Sequence, residues 1–192
     1  MDVTHAVTTT VYPGESALTI VEEFVHLRRL SSQGHSPQRV EQQIGGMRDR
    51  LAQDARKPGF LAVTARIGSR LCGFGTAVRS TDPVPAHPAP DAWLPHQWPA
   101  DAMQITDLTV APVARGRGVR TRLLDVLLLP ALDDRAWVAA DPGDRATLVF
   151  FRCQGWRQTV FPSPGNPSDE RAQVVLLAPR HPALADASAA PW

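Results

Sequence analysis

Apolar and β-branched residues fall along this chain in blocks whose spacing separates strands from helices. Val7 to Tyr12 is a short β-branched run that predicts a first strand, and Pro13-Gly14 breaks it. Ser16 then stands where it can cap a helix running to about Leu30, with Leu18, Val21, Phe24 and Val25 on one face. After a polar break, Ser36-Pro37 is a helix start, serine at the N-cap and proline at the first helical position. Val40, Ile44, Met47 and Leu51 continue at helical spacing. Gly45-Gly46 marks a weak point where that helix is expected to bend or break.

Lys57-Pro58-Gly59 closes the helical region. Phe60 to Ile67 and Leu71 to Val78 are strand-like runs joined by Gly68-Ser69-Arg70, a hairpin signal. Arg79 to Ala102 has no regular period and carries six prolines with Trp93, His96 and Trp98. A loop of that length is usually functional or disordered, and its tryptophans favour burial or a ligand. Met103 to Val110 is the next strand. It runs into a turn, Arg115-Gly116-Arg117-Gly118, and then a helix with Val119, Leu123, Val126 and Leu127 at helical spacing, limited by Pro130. Ala136 to Ala140 reads as a strand, and Asp144 can cap a helix from Arg145 to Cys153 that Gly155 ends. Trp156 to Phe161 and Gln173 to Leu177 are the last strands. This order predicts an α/β fold, a mixed sheet covered by helices. We expect a single domain over residues 1–178, followed by a loose Ala/Pro-rich tail over 179–192.

Composition narrows the function classes. At 192 residues with 43% hydrophobic and 20% charged residues, the chain suits one well-buried core. A formal charge of +1 gives no reason to expect nucleic acid or a membrane as partner. No apolar run approaches a membrane span, and the first residues lack the pattern of a secretory signal. Cys72 and Cys153 form neither a disulfide framework nor a metal site, and both sit in apolar runs that predict burial. These features together predict a cytoplasmic protein without a metal. Lys57 is the only lysine among 20 basic residues, and that bias points to a GC-rich, actinobacterial-type genome.

The chemistry concentrates at the glycine–arginine turn. Glycine tolerates positive φ and lets the backbone approach an anion closely. A helix's first turn offers free N–H groups and the positive end of its dipole. A phosphate or pyrophosphate is the natural guest.

Leu108-Thr109-Val110-Ala111-Pro112, the turn Arg115-Gly116-Arg117-Gly118 and the later run Ala146 to Trp156 together resemble the GCN5-related N-acetyltransferase (GNAT) family. The family's cradle aligns here on Arg115, Gly118 and Arg120, and the element order matches from about Val7 to Leu177. The resemblance implies a mostly antiparallel sheet of about six to seven strands, with a V-shaped split between two parallel strands. It implies acetyl-CoA as cosubstrate. Backbone groups of Leu108, Thr109 and Val110 would hold the pantetheine arm and thioester carbonyl. The amides of Gly116, Arg117, Gly118, Val119 and Arg120 would hold the pyrophosphate. Three positions depart from the family pattern. Arg120 replaces a small residue and either crowds the pyrophosphate or pairs with it, and we favour pairing because guanidinium suits phosphate. Phe151 stands where many members place a tyrosine that protonates the leaving thiolate. Water can serve instead, since a thiol's pKa lies at about 8–9. Asp144 falls near a CoA-contacting position, but a helix cap is the better explanation of it.

Acyl transfer to an amine needs a base and a donor for the developing oxyanion. Asp107 is the candidate base, working through a water. A carboxylate inside the apolar Ile105 to Val110 run also needs a partner. Trp93 and His96, in the Pro/Trp loop, are candidate acceptor contacts; His96 and His87 also read as bases or as solvent-exposed loop histidines, His26 as exposed or packed, and Glu22 and Glu23 as a solvated face. Asp82, Asp91, Asp101 and Asp107, with no Lys or Arg between Arg79 and Arg115, suggest an acidic mouth for a small cationic amine. A homodimer is left open. Two rivals remain. Gly73-Phe74-Gly75 offers only a lone GxG for a Rossmann-type site. A GNAT-like domain that binds acetyl-CoA without efficient turnover, a sensor, is the other.

Overall fold

The computed structural model describes residues 6–32, 36–80, 102–160, 174–182 and 184. Its strands are β1 (Val7–Pro13), β2 (Leu61–Ile67), β3 (Arg70–Ser80), β4 (Ala102–Val110), β5 (Ala136–Ala140), β6 (Arg157–Val160) and β7 (Val174–Leu177). Its α-helices are α1 (Val21–Ser31), α2 (Pro37–Asp54), α3 (Val119–Leu128) and α4 (Arg145–Cys153). The strands form one sheet in the order β1-β2-β3-β4-β5-β7-β6, mixed and mostly antiparallel, with β4 and β5 as the parallel pair. The chain divides into two compact units, residues 1–79 with 105–129 and residues 80–104 with 130–192, so that β4 contributes to both.

In the first unit, β1 pairs antiparallel with β2 from Val7↔Ile67 to Pro13↔Leu61, and β2 pairs antiparallel with β3. Phe74 turns to α1 and stacks on Phe24, ring centroids 4.1 Å apart. Its neighbours Gly73 and Gly75 turn to the other face, where α3 lies. A Cβ on Gly73 would come within 2.9 Å of Leu123 Cδ1, and one on Gly75 within 2.7 Å of Leu127 Cδ1. The GxG pattern therefore brings a helix close to the sheet and is not a nucleotide loop. Leu123 and Leu127 are fully buried there, with Val119 and Leu124 beside them.

In the second unit, β7 pairs antiparallel with both β5 and β6. Trp137, Val175, Leu177 and Ala102 form its core, and Leu184 packs against them. α4 is capped as expected, Asp144 accepting from the Thr147 amide at 3.0 Å. Phe151 and Trp156 meet edge to face at 4.8 Å and close the other end.

Five expectations need correction. The segment Gly14–Ile20 is a 3-10 helix and α1 starts only at Val21. Ser16 does not cap it, because its hydroxyl donates to the Pro13 carbonyl at 2.6 Å. α2 runs unbroken through Gly45-Gly46, anchored on both sides by buried Ile44, Met47 and Leu51. Cys72 is buried, but Cys153 is exposed because it falls on the outer side of α4. Trp156 precedes β6 instead of opening it, as its amide is taken by the Phe151 carbonyl at 3.0 Å. Where the expected tail begins, His181 is buried and Pro179 sits against Gly155.

Candidate active site

β4 leads directly into the glycine–arginine turn. Ala111 donates to the Cys72 carbonyl at 2.8 Å, which keeps the end of β4 on β3. Pro112–Ala114 makes one 3-10 turn. Gly116 and Gly118 then adopt φ of +74° and +71°, left-handed values that L side chains rarely take. A Cβ at either position would meet open space, so conformation, not crowding, calls for glycine there. α3 begins at Val119 with Gly118 as N-cap and no side-chain cap. The Arg122 amide takes the Gly118 carbonyl at 2.9 Å as the first intrahelical bond. The amides of Val119, Arg120 and Thr121 precede that bond and are left for an outside acceptor. Arg115 and Arg117 are exposed beside them. Such a turn offers a helix dipole, free amides and guanidinium groups to an anion.

Upstream, backbone carbonyls of β4 accept bonds from side chains. The Leu108 carbonyl accepts from Arg120 Nη2 at 3.5 Å, and the Val110 carbonyl accepts from the Ser31 hydroxyl at 3.3 Å. Arg120 thus reaches back along β4, a third arrangement beside the two the sequence offered. Thr109 is buried, and its hydroxyl donates to Asp107 Oδ1 at 2.8 Å. Arg28 of α1 supplies the partner that Asp107 needed and bonds to Oδ2. The Asp107 carboxylate is thereby held from both oxygens, with its side chain 9% exposed.

Asp107 also lines a small open cleft. Phe24 of α1, Met47, Arg50, Leu51 and Asp54 of α2, Phe60 just before β2, Phe74 and Thr76 of β3, and Thr106 of β4 complete it. Thr76 and Thr106 share a hydroxyl–hydroxyl bond of 2.8 Å. Thr106 and Asp107 are consecutive, yet their side chains bond to Thr76 and Arg28 respectively and both line this cleft. A regular strand alternates its faces, so β4 is irregular here, and the irregularity turns Asp107 inward. The α2 contribution follows the spacing three, one, three, a single helical stripe. Sequence reasoning had used Met47 and Leu51 of that stripe as core and passed over Arg50 and Asp54 between and after them. It had no means of finding Arg28, which lies 79 residues from Asp107.

The other expected site residues belong to other elements. Asp144 caps α4 in the second unit, and Phe151 is 1% exposed within that unit's core. His26 is exposed, while Glu22 and Glu23 pair with Arg48 and Arg66. Trp93, His96, His87, Asp82, Asp91 and Asp101 fall outside the described residues. Among the described residues no group of His, Cys, Asp and Glu has the makings of a metal site, and no helix is long and apolar enough to cross a membrane.

No protein-family model and no curated protein matches this sequence. Solved structures do match its fold. One is the PaiA N-acetyltransferase of Thermoplasma acidophilum in complex with coenzyme A, at 10% identity, with 90% of this chain and 99% of that one covered and a TM-score of 0.58. The chain has the fold of the GNAT acetyltransferases. The aminoglycoside N-acetyltransferase AAC(6')-Iy in complex with CoA matches at 14% identity, over 85% of this chain and 95% of that one, TM-score 0.56. The ribosomal-protein-S18-alanine N-acetyltransferase of Escherichia coli matches at 12% identity, over 88% and 90%, TM-score 0.53. These neighbours share the GNAT architecture while their names record different acceptors.

Proposed function

We propose that this chain is an acetyl-CoA-dependent N-acetyltransferase acting on a small amine. The observation that carries the reading is the uncapped N-terminus of α3, behind two left-handed glycines and flanked by Arg115 and Arg117. Its orphan amides fit a pyrophosphate, and two of the fold neighbours carry CoA in their structures. When bound, acetyl-CoA supplies an activated acetyl thioester.

The chain's own residues then divide the work. The amides from Gly116 to Arg120 hold the pyrophosphate, and backbone groups of Leu108, Thr109 and Val110 hold the pantetheine arm. Arg120 bonds to the Leu108 carbonyl at 3.5 Å beside the turn, and its guanidinium suits pairing with a phosphate. Asp107 accepts the acceptor's surplus proton through a water, while Arg28 and Thr109 fix its carboxylate. The amine nitrogen attacks the acetyl carbon, the C–N bond forms, the C–S bond breaks, and the sulfur leaves as thiolate. Solvent protonates that thiolate, because Phe151 has no hydroxyl and is buried. The setting is cytoplasmic, residues 1–178 act as one domain, and residues 179–192 trail it.

The departures at Phe151 and Arg120 keep a second reading in play, acetyl-CoA binding without turnover. Calorimetric titration with acetyl-CoA, followed by CoA-thiol release with a panel of amines, separates the two. Binding with release supports the enzyme, binding without release on any acceptor supports the sensor, and no binding removes both.

A further inference from the structure

The cleft that Asp107 lines is too small for a substrate. Its free volume is about 20 Å³, room for one water. Much of its wall is apolar, with Phe24, Phe60 and Phe74 all buried. Polar atoms reach it from β3 and β4. Thr76 and Thr106 join hydroxyl to hydroxyl at 2.8 Å, so one of their two protons lies between them and the other is left to donate. The Asp107 carboxylate accepts from Thr109 on one oxygen and from Arg28 on the other. An ionised carboxylate takes about four such bonds, so it can accept from a further donor. Asp54, the other carboxylate on the cleft, is bonded by Lys57 Nζ at 2.7 Å, and Arg50 lines the cleft as an exposed side chain.

Resting on the proposed acetyl transfer, we infer that this space seats a single water, and that the Thr76–Thr106 hydroxyl pair positions it as the proton relay between the acceptor amine and Asp107. The water accepts from the threonine hydroxyl left to donate, and it donates to Asp107. Two polar partners suffice to hold a buried water, and the phenylalanine rings offer it no competing one. Its second lone pair serves the open side of the cleft, where the acceptor's ammonium donates to it. The ammonium's surplus proton passes to the water as the water passes one of its own to Asp107, which becomes the neutral acid. The neutral amine then attacks, the C–N bond forms and the C–S bond breaks. CoA leaves as thiolate, and the proton shed by the new amide nitrogen reaches it through solvent. Thr76 and Thr106 act only through the water and are positioning residues.

The test is the double variant Thr76→Val/Thr106→Val of the full chain, which keeps both side-chain shapes and leaves neither hydroxyl orphaned. A high-resolution crystal structure of the wild-type chain should show one ordered water within hydrogen-bond distance of Asp107 and of a threonine hydroxyl. The double variant should lack it. Turnover is read as CoA-thiol release from acetyl-CoA with propylamine, phenethylamine and spermidine. The double variant should lower kcat by roughly three- to tenfold, the worth of one hydrogen bond, with KM and acetyl-CoA affinity kept. Thr76→Ser and Thr106→Ser retain the hydroxyls and should retain both the water and kcat. A wild-type space without a water overturns the inference, as does a water bonded to Asp54 instead of Asp107. So does an unchanged kcat in the double variant, which would make the threonine pair a staple between β3 and β4. Each of these results leaves the acetyltransferase standing. Failure of acetyl-CoA to bind, or binding with no release on any of the amines, removes the acetyltransferase reading and the relay with it.

Discussion

Two glycine pairs with the same spacing serve opposite ends in this molecule. Gly73 and Gly75 lie in β3 at ordinary strand angles, and side chains added there would strike α3 at 2.9 and 2.7 Å. Gly116 and Gly118 lie in the turn before α3 at φ of +74° and +71°, and side chains added there would strike nothing. The first pair is needed for space and the second for conformation. A GxG in sequence is therefore ambiguous until its surroundings are known. Here the pair in the strand packs the helix, and the pair in the turn leaves the helix amides free for an anion.

The contrast can be broken by substitution. Gly75→Ala should have the largest effect on stability, about 1–3 kcal/mol from overpacking against fully buried Leu127. The check is a urea unfolding midpoint, with acetyl-CoA affinity measured alongside and expected to change less than stability does. Gly118→Ala should reverse that ranking. It costs roughly 1–2 kcal/mol for a left-handed alanine, and it lowers acetyl-CoA affinity by about tenfold or more as the amides lose their aim. Asp107→Asn should reduce turnover by about a hundredfold or more, as the loss of a general base does, with acetyl-CoA binding kept. Arg120→Gly should weaken acetyl-CoA binding several-fold, about 1 kcal/mol for a charged contact to phosphate. A tighter complex would show that the arginine obstructs the turn.

The smallest expected effect lies in the second unit, at His181. Burial pushes its pKa below the ordinary 6.5, and the nearby Arg135 charge adds to the shift. The unfolded chain therefore binds a proton more readily than the folded one. Stability from this residue is fully present above about pH 6.5 and is lost as pH falls toward the lowered folded value. Melting temperatures at neutral and mildly acidic pH should show a fall that His181→Asn reduces.

Local chemistry was legible in the sequence and long-range chemistry was not. The Ser36-Pro37 start, the Asp144 cap and the β5 bounds each depend on a few neighbouring residues, and the structure has them where the residue types place them. The strand-to-helix turn was visible for the same reason. Ser16 misled because a serine near a helix start has a second option, bonding back to a carbonyl, and only the turn geometry decides between them. The cleft was hidden because it draws on α1, α2, β3 and β4, whose contacts no spacing records. Asp107 announced its need for a partner, but nothing in the sequence pointed to Arg28, 79 residues away. Arg50 and Asp54 of α2 line the cleft with no sequence signal of their own.

The central claim is that the turn from Gly116 to Arg120 holds the pyrophosphate of acetyl-CoA. Backbone amide NMR during an acetyl-CoA titration tests it most directly. The account predicts that the amides of Gly116, Gly118, Val119 and Arg120 shift most and saturate together, with Gly73 and Gly75 changing far less. Saturable binding that leaves those turn amides unmoved would contradict it.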